Sequence, residues 1–400
     1  MEAALDALNF DILVGRVFSY ESKTLGGSHD KFLVRYQGRL RSEDSEQAYD
    51  DLDRALAPLQ VTPLFRIEKD AQVIYVVSGR LGTASKSKNW VNLVLFVLTL
   101  FSVLLTGAMF GLQEQLPETP AAIVKAVFEA GWPFAVSMIA ILGTHEMGHY
   151  LMGRRRGVQV TLPYFIPMPF SSFGTLGAFI NMKSLPRNRK HLLDIGLAGP
   201  LAGLLVAVPV LLIGLSLSTI DTLPTANPEG TLGLTLEGNS ILYLGLKALM
   251  FGQLLPAPAD YGSAGPLLYW LRYFFTGSPL PLGGVDVLLH PVAWAGWAGL
   301  LVTGLNLLPA GQLDGGHLVY VLLGRDRVRK IYPVILIFLG VLSFFWSGWL
   351  IWLALLFLLG RAHAEPLDQI TPLDPTRKVL AVVGLVVFLL TFTPVPLLVF

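Results

Sequence analysis

Apolar and polar positions follow one pattern through residue 88 and another beyond it. In the first stretch charged residues interrupt every apolar run. YESKTLGGSHDKFLVRYQGRL mixes turn residues with a strand-like segment, SEDSEQAYDDLDRALAPLQ suits a helix capped by Ser42 or Ser45, and AQVIYVVSGRL predicts a strand stopped at Gly79. From Asn89 the runs lengthen. WVNLVLFVLTLFSVLLTGAMFG, residues 90–111, supplies about 20 nearly continuous apolar residues, enough for one bilayer crossing. After an acidic loop, LQEQLPETP, a second apolar helix is expected from near Ala121 through His149 to Met152, ending at GRRRG. A third covers residues 192–217, where Gly196, Gly199 and Gly203 permit close helix approach and Pro200 a kink.

Residues 160–190 break the pattern. Pro163, Pro167 and Pro169 remove amide donors and disfavour a continuous helix, while TLGAFINM alternates as a short strand. Irregular backbone at membrane depth needs shielding by protein or a cavity, so a re-entrant element is expected here. A turn-rich segment and short apolar pieces with Pro/Gly breaks then lead to Asp286. Residues 290–309 read as a further span, residues 331–361 as a tight membrane hairpin bending near Ser347 and Gly348, and Val379 to about Leu389 as a final apolar segment. The expected count is six or seven crossings.

Composition agrees with this division. The chain is 53% hydrophobic and only 14% charged, too apolar for a soluble protein of this length. Residues 1–90 carry 12 of the 29 Lys/Arg and 13 of the 28 Asp/Glu. The organisation predicted is a polytopic α-helical membrane protein: an extramembrane α+β domain over residues 1–88 and a membrane domain over 89–400. The first domain has a small core, so packing on the membrane domain or self-association as a homo-oligomer is expected to support it. Lys86, Lys88, Arg154, Arg155, Arg156, Lys183, Arg187, Arg189, Lys190, Arg325, Arg327, Arg329, Lys330, Arg361, Arg377 and Lys378 all fall on one side if the spans alternate. The positive-inside tendency makes that side the cytoplasm, shared with the N-terminal domain. With net charge +1 and no large basic face, no nucleic-acid partner is expected. The absence of cysteine excludes thiolate chemistry, and the acidic N-terminus resembles neither a secretory signal nor a transit peptide.

Candidate chemistry concentrates in GTHEMGHY, residues 143–150, at the end of an apolar helix. On a helix His145 and His149 project from one face and can approach one zinc ion, with Glu146 close enough to activate water; HExxH is a recognised metalloprotease signature. The bland reading, polar residues contacting water or a neighbouring helix, loses weight because ionisable groups at membrane depth are costly unless paired, solvated or functional. A further ligand is needed. Asp314 in LNLLPAGQLDGGH ranks first, with Asp194 and Asp286 as alternatives. His317 reads as a hydrogen-bonding partner of the site ahead of a direct ligand, and Asn306 either orients substrate or bonds across helices.

Together THEMGHY at 144–150, FGTLGAFI at 173–180, IGLAGPLAG at 195–203 and NLLPAGQLDGGH at 306–317 resemble the site-2 protease family of intramembrane zinc metalloproteases, especially members with an extra N-terminal domain. The resemblance runs from about Phe134 to Tyr320, within a core of approximately residues 121–325. It implies His145, His149 and Asp314 as zinc ligands, Glu146 as the catalytic carboxylate and Asn306 near the catalytic centre. It also places Gly174, Thr175, Gly177 and Phe179 on an edge near substrate. The implied reaction is hydrolysis of peptide bonds within or near transmembrane segments of protein substrates in the lipid bilayer, with a bacterial plasma membrane as the expected location. One departure stands out: no independent peptide-binding domain lies between IGLAGPLAG and NLLPAGQLDGGH. Substrate selection is then left to the N-terminal domain or the membrane surface. The non-proteolytic alternative is a zinc-dependent membrane scaffold or regulator; a transporter fits less well, because the ligands cluster at one depth.

Overall fold

A computed structural model describes residues 2–27, 29–81, 88–111, 119–225, 235–263, 265–359 and 365–399. The N-terminal region is α+β: α1 (Glu2–Val17), β1 (Phe18–Leu25), β2 (Val34–Leu40), α2 (Ser45–Leu56), β3 (Val61–Glu68) and β4 (Ala71–Ser78). Its antiparallel sheet has strand order β1-β2-β4-β3. Lys69 and Asp70, both at positive φ, close the β3–β4 hairpin, and β4 stops before Gly79 as expected. The cap of α2 is neither Ser42 nor Ser45 but Asp44, whose carboxylate accepts from Gln47 N; Ser45 is already helical and its hydroxyl bonds Thr371.

The helical region follows: α3 (Asn89–Gly111), α4 (Pro120–Arg155), β5 (Tyr164–Pro167), β6 (Thr175–Phe179) and α5 (Arg189–Ser216). Next come β7 (Thr219–Thr222), β8 (Thr235–Glu237), α6 (Ile241–Phe251), α7 (Gly265–Thr276), β9 (Val285–Leu288) and α8 (Pro291–Asn306). The chain closes with α9 (Asp314–Leu323), α10 (Arg325–Leu342), α11 (Gly348–Leu359), α12 (Pro375–Thr391) and β10 (Leu397–Val399). Helices α4, α5 and α8 pack around a core that includes Phe134, Ile141, Leu211, Trp297 and Leu300. The chain is an integral, multi-pass membrane protein. Among the described residues three helices, α3, α4 and α5, are long and apolar enough to cross a membrane. The expected six or seven crossings are not reached by that measure, because α8, α11 and α12 have 16, 12 and 17 residues against the ~20 that a 30 Å core requires. The 331–361 hairpin forms, turning between Leu342 and Gly348.

Residues 160–182 make the irregular element. Strands β5 and β6 pair antiparallel, and the hairpin runs beside α3: Asn92 donates to Leu162 O and Pro163 O, and Ser102 donates to Gly174 O at 2.6 Å. The protein itself thus covers part of the strand backbone that hydrocarbon would leave unsatisfied.

The basic residues gather at one end. Arg156 and Arg377 both pair with Asp194, Lys190 with Glu46, Arg187 with Asp50, and Arg325 with Glu365. The N-terminal region packs against this end. Lys86 and Arg361 lie outside the described residues, as do most of the acidic loop after α3 and part of the turn-rich segment before β8.

Candidate metal centre

His145 and His149 sit in the last third of α4, one turn apart and both buried. Their space comes from α5. A Cβ on Gly199 would lie 2.0 Å from His149 Nε2, and one on Gly203 would lie 3.0 Å from His145 Nδ1. The two i,i+4 pairs run in opposite orders along their helices, as antiparallel packing requires. Asp314 occupies the first turn of α9, where a carboxylate is favoured by the helix dipole. Gly315 and Gly316 let the preceding loop close tightly on that turn, since a Cβ on either would meet Leu307 O at 1.9 Å or Gly311 O at 2.3 Å.

These elements bring three donors to one point. His145 Nε2 and His149 Nε2 are 3.2 Å apart, and Asp314 Oδ2 lies 3.6 and 3.3 Å from them respectively. Three ligands each about 2.0–2.1 Å from an ion, at tetrahedral angles, would be roughly 3.3 Å from one another. The donor chemistry fits as well. Ile195 O is 2.7 Å from His149 Nδ1, so that nitrogen carries the proton and Nε2 presents a bare lone pair to the facing imidazole. Two imidazole nitrogens and a carboxylate so arranged form a site for a cation.

Glu146 is buried and lines the same cavity, of 190 Å³, with Ala178, Phe179, Asn306 and His317. Asn306 Nδ2 reaches to 3.2 Å from His145 Nε2. His317 is a neighbour outside the converging trio. Within the edge segment, Phe179 faces the cavity while Thr175 and Gly174 hold the hairpin: Thr175 Oγ1 donates to Ile166 O, and Gly174, at φ +70°, lies against Val103. Gly177 has φ +102° and open space beside it. Asp194 is taken by two arginines and Asp286 pairs with Lys247, so neither joins the cluster. Sequence reasoning missed Ile195, whose carbonyl fixes the tautomer of His149, and read the α5 glycines only as a packing stripe. The matching four-residue spacing of Gly199/Gly203 and His145/His149 was the available signal.

A multi-pass helical membrane protein with a His-His-Asp cluster able to hold a metal ion is the class that fold and site define. Comparison with known proteins gives the family: the profile of peptidase family M50 matches residues 133–346, more than half of the chain. The chain belongs to peptidase family M50. It is 29% identical over 272 residues to "Probable zinc metalloprotease EGY2, chloroplastic" of Arabidopsis thaliana, covering 66% of this chain and 42% of that protein. It is 30% identical over 324 residues to "Probable zinc metalloprotease EGY1, chloroplastic" of Oryza sativa subsp. japonica, covering 77% of this chain and 50% of that one. The EGY2 protein of Oryza sativa subsp. indica is 27% identical, covering 96% of this chain and 66% of its own length. The chain thus spans from about two-fifths to about two-thirds of the length of these relatives. No solved structure matches it.

Proposed function

We propose that the protein is a zinc-dependent endopeptidase that hydrolyses peptide bonds within or near transmembrane segments of membrane proteins. The observation that carries this reading is the convergence of His145, His149 and Asp314 in a cavity shared with Glu146 and the end of β6. Zinc, when bound, supplies a Lewis acid that polarises the scissile carbonyl and acidifies water. His145 and His149 would hold it through Nε2 and Asp314 through a carboxylate oxygen. Glu146 accepts the proton of the attacking water and delivers a proton to the departing amine nitrogen, which leaves as the C–N bond breaks. Asn306, whose Nδ2 lies 3.2 Å from His145 Nε2, orients the substrate carbonyl. Among the described residues β6 pairs with β5 alone, so its second edge is open to an extended substrate segment. Such pairing replaces the intrahelical hydrogen bonds that a substrate helix must give up before its amide is exposed.

His149 lies six residues before the end of α4, about 9 Å from the end that faces the N-terminal region, so water reaches the cavity from that side. We assign that side to the cytoplasm of a bacterium, following the basic residues gathered there. Division into an N-terminal domain over 1–88 and a membrane domain over 89–400, with its protease core at 121–325, belongs to the same reading.

The test is cleavage of a panel of single-span substrates by purified, zinc-loaded protein in liposomes, wild type against Glu146→Gln. A loss of roughly 10²–10⁴-fold is expected. Undiminished cleavage by the variant would remove Glu146 from the mechanism. Metal-loaded wild type that cleaves nothing in the panel would favour a scaffold.

A further inference from the structure

At the end of the helical bundle remote from the N-terminal region, β7 and β9 form a two-stranded ladder from Thr219↔Leu288 to Thr222↔Val285. All four residues of β7 are exposed, and among the described residues it pairs with β9 alone. On its outer edge Thr222 N already donates to Asp221 Oδ1 at 2.7 Å, and the backbone groups of Ile220 have no strand partner among the described residues. Beside it lies a cavity of 790 Å³, several times the volume of the metal cavity, reaching from β7 down to Trp294. Its depth is apolar, with Phe110, Leu236 and Trp294, while Glu129, Asp221, Glu237 and Asp286 also line it. Lys247, fully buried, lies 3.6 Å from both Glu237 and Asp286, and Lys125 lies 3.7 Å from Glu129. Lys247 thus sits between two of the carboxylates and Lys125 beside a third, while Asp221, on the exposed strand, has no basic partner among the described residues.

Trp294 has a second role. Its indole N–H donates to Ser172 O at 3.3 Å, and its ring stacks on Phe173 with centroids 6.4 Å apart. Ser172 and Phe173 form the tip of the hairpin whose other end, at Phe179, lines the metal cavity. An occupant of the remote cavity would therefore touch the ring that props the substrate-facing hairpin.

We propose that this cavity and the open edge of β7 bind an extended, cationic segment of polypeptide that flanks the transmembrane part of a substrate, on the face opposite the N-terminal region. An extended chain can pair with the backbone of Ile220 in β7, bury apolar side chains toward Trp294 and place Lys or Arg against the carboxylates. The proposal rests on the reading of the protein as an intramembrane endopeptidase. It supplies that reading with a selection site, which no separate peptide-binding domain provides. It also sets a ruler: Pro133, on the cavity wall, and His149 are sixteen helical residues apart on α4, about 24 Å, so the cationic segment lies about that far from the scissile bond.

The test uses full-length Glu146→Gln protein in phosphatidylcholine nanodiscs. It is titrated with a fluorescent peptide of alternating valine and lysine and with its valine–glutamate counterpart. The cationic peptide is expected to bind, with affinity falling as salt rises, and the acidic one not to bind. Asp221→Lys, at an exposed position, and Glu129→Lys are each expected to weaken the cationic peptide at least tenfold. Equal binding of the two peptides, binding that both variants leave unchanged, or equal binding to empty nanodiscs overturns the proposal. Because the readout is binding, a wild type that cleaves no substrate would defeat the endopeptidase reading without altering this measurement, and the reverse holds too.

Discussion

Gly199 is as much a part of the candidate metal centre as the histidine it faces. With Ala there, the new methyl would sit 2.0 Å from His149 Nε2, so either the imidazole leaves the cluster or α4 and α5 separate. Metal affinity is expected to fall about 10–100-fold, the scale seen when a ligand's support is lost. Gly203→Ala, at 3.0 Å from His145 Nδ1, should cost less. Metal content of the purified variants, with helix content checked by circular dichroism, measures both; full occupancy in Gly199→Ala would contradict the packing. The same assay ranks the third ligand. Asp314→Ala should lose metal while His317→Ala keeps most of it, and the reverse outcome would exchange their roles. The histidines and Asp314 were legible because their chemistry is rare in an apolar sequence. Asp194 and Asp286 were equally eligible by composition, and only folding shows each already claimed by basic partners. The role of Gly199 was not legible, since a glycine stripe does not say which helix will face it.

Among the elements, the one least visible in the sequence is the connection into α12. Residues 367–369 insert between the N-terminal sheet and the turn before α5: Phe65 N donates to Leu367 O, Gln369 N to Phe65 O, and Asp368 N to Arg187 O. Nothing in its short polar composition announces a bridge, because its partners lie about 300 and 180 residues earlier in the chain. By contrast α3, α4 and α5 were predictable nearly to their ends, since long apolar runs permit little else. Beside this bridge Glu46 accepts from Lys190 at 2.8 Å and from Asn188 at 3.0 Å. Burial pushes its pKa up, but Lys190, Asn188 and the charge of Arg187 outweigh burial and hold it below the usual carboxylate value. A folded-state pKa below the unfolded one means that the stabilisation is fully present above the unfolded value, about 4.3, and is lost as pH falls through the lowered one. Asp368 acts in the opposite sense, because burial raises its pKa. The comparison that isolates Glu46 is therefore wild type against Glu46→Gln. Amide exchange in α2 should be faster in the variant near neutral pH, by an amount worth ~1 kcal/mol or less, and the difference should vanish in acid. A difference that persists undiminished below about pH 3 would assign the effect to something other than ionised Glu46.

For the whole molecule, the arrangement that matters is that two distant helices end on the same face. The candidate metal centre is built from α4, which enters from one side and ends at Arg155, and from Asp314 at the start of α9, which leads within eleven residues to Arg325 at the start of α10. The sequence implied this only through its basic residues, and the ion pairs of Arg156, Arg187, Lys190, Arg325 and Arg377 supply the physical reason: all are drawn to carboxylates at the end where the N-terminal region docks. The native chain has no cysteine, so single substitutions can be labelled without background. Cysteines at Arg155, Arg327 and Glu43, all exposed, should react with a membrane-impermeant maleimide from one face, and a cysteine at Thr222 from the other. Labelling of Arg155→Cys and Arg327→Cys from opposite faces would put the ends of those helices about 30 Å apart across the hydrocarbon core. Six residues of α4 and ten of α9 reach only about 9 and 15 Å back from those ends, too little to bring His149 within 3.3 Å of Asp314.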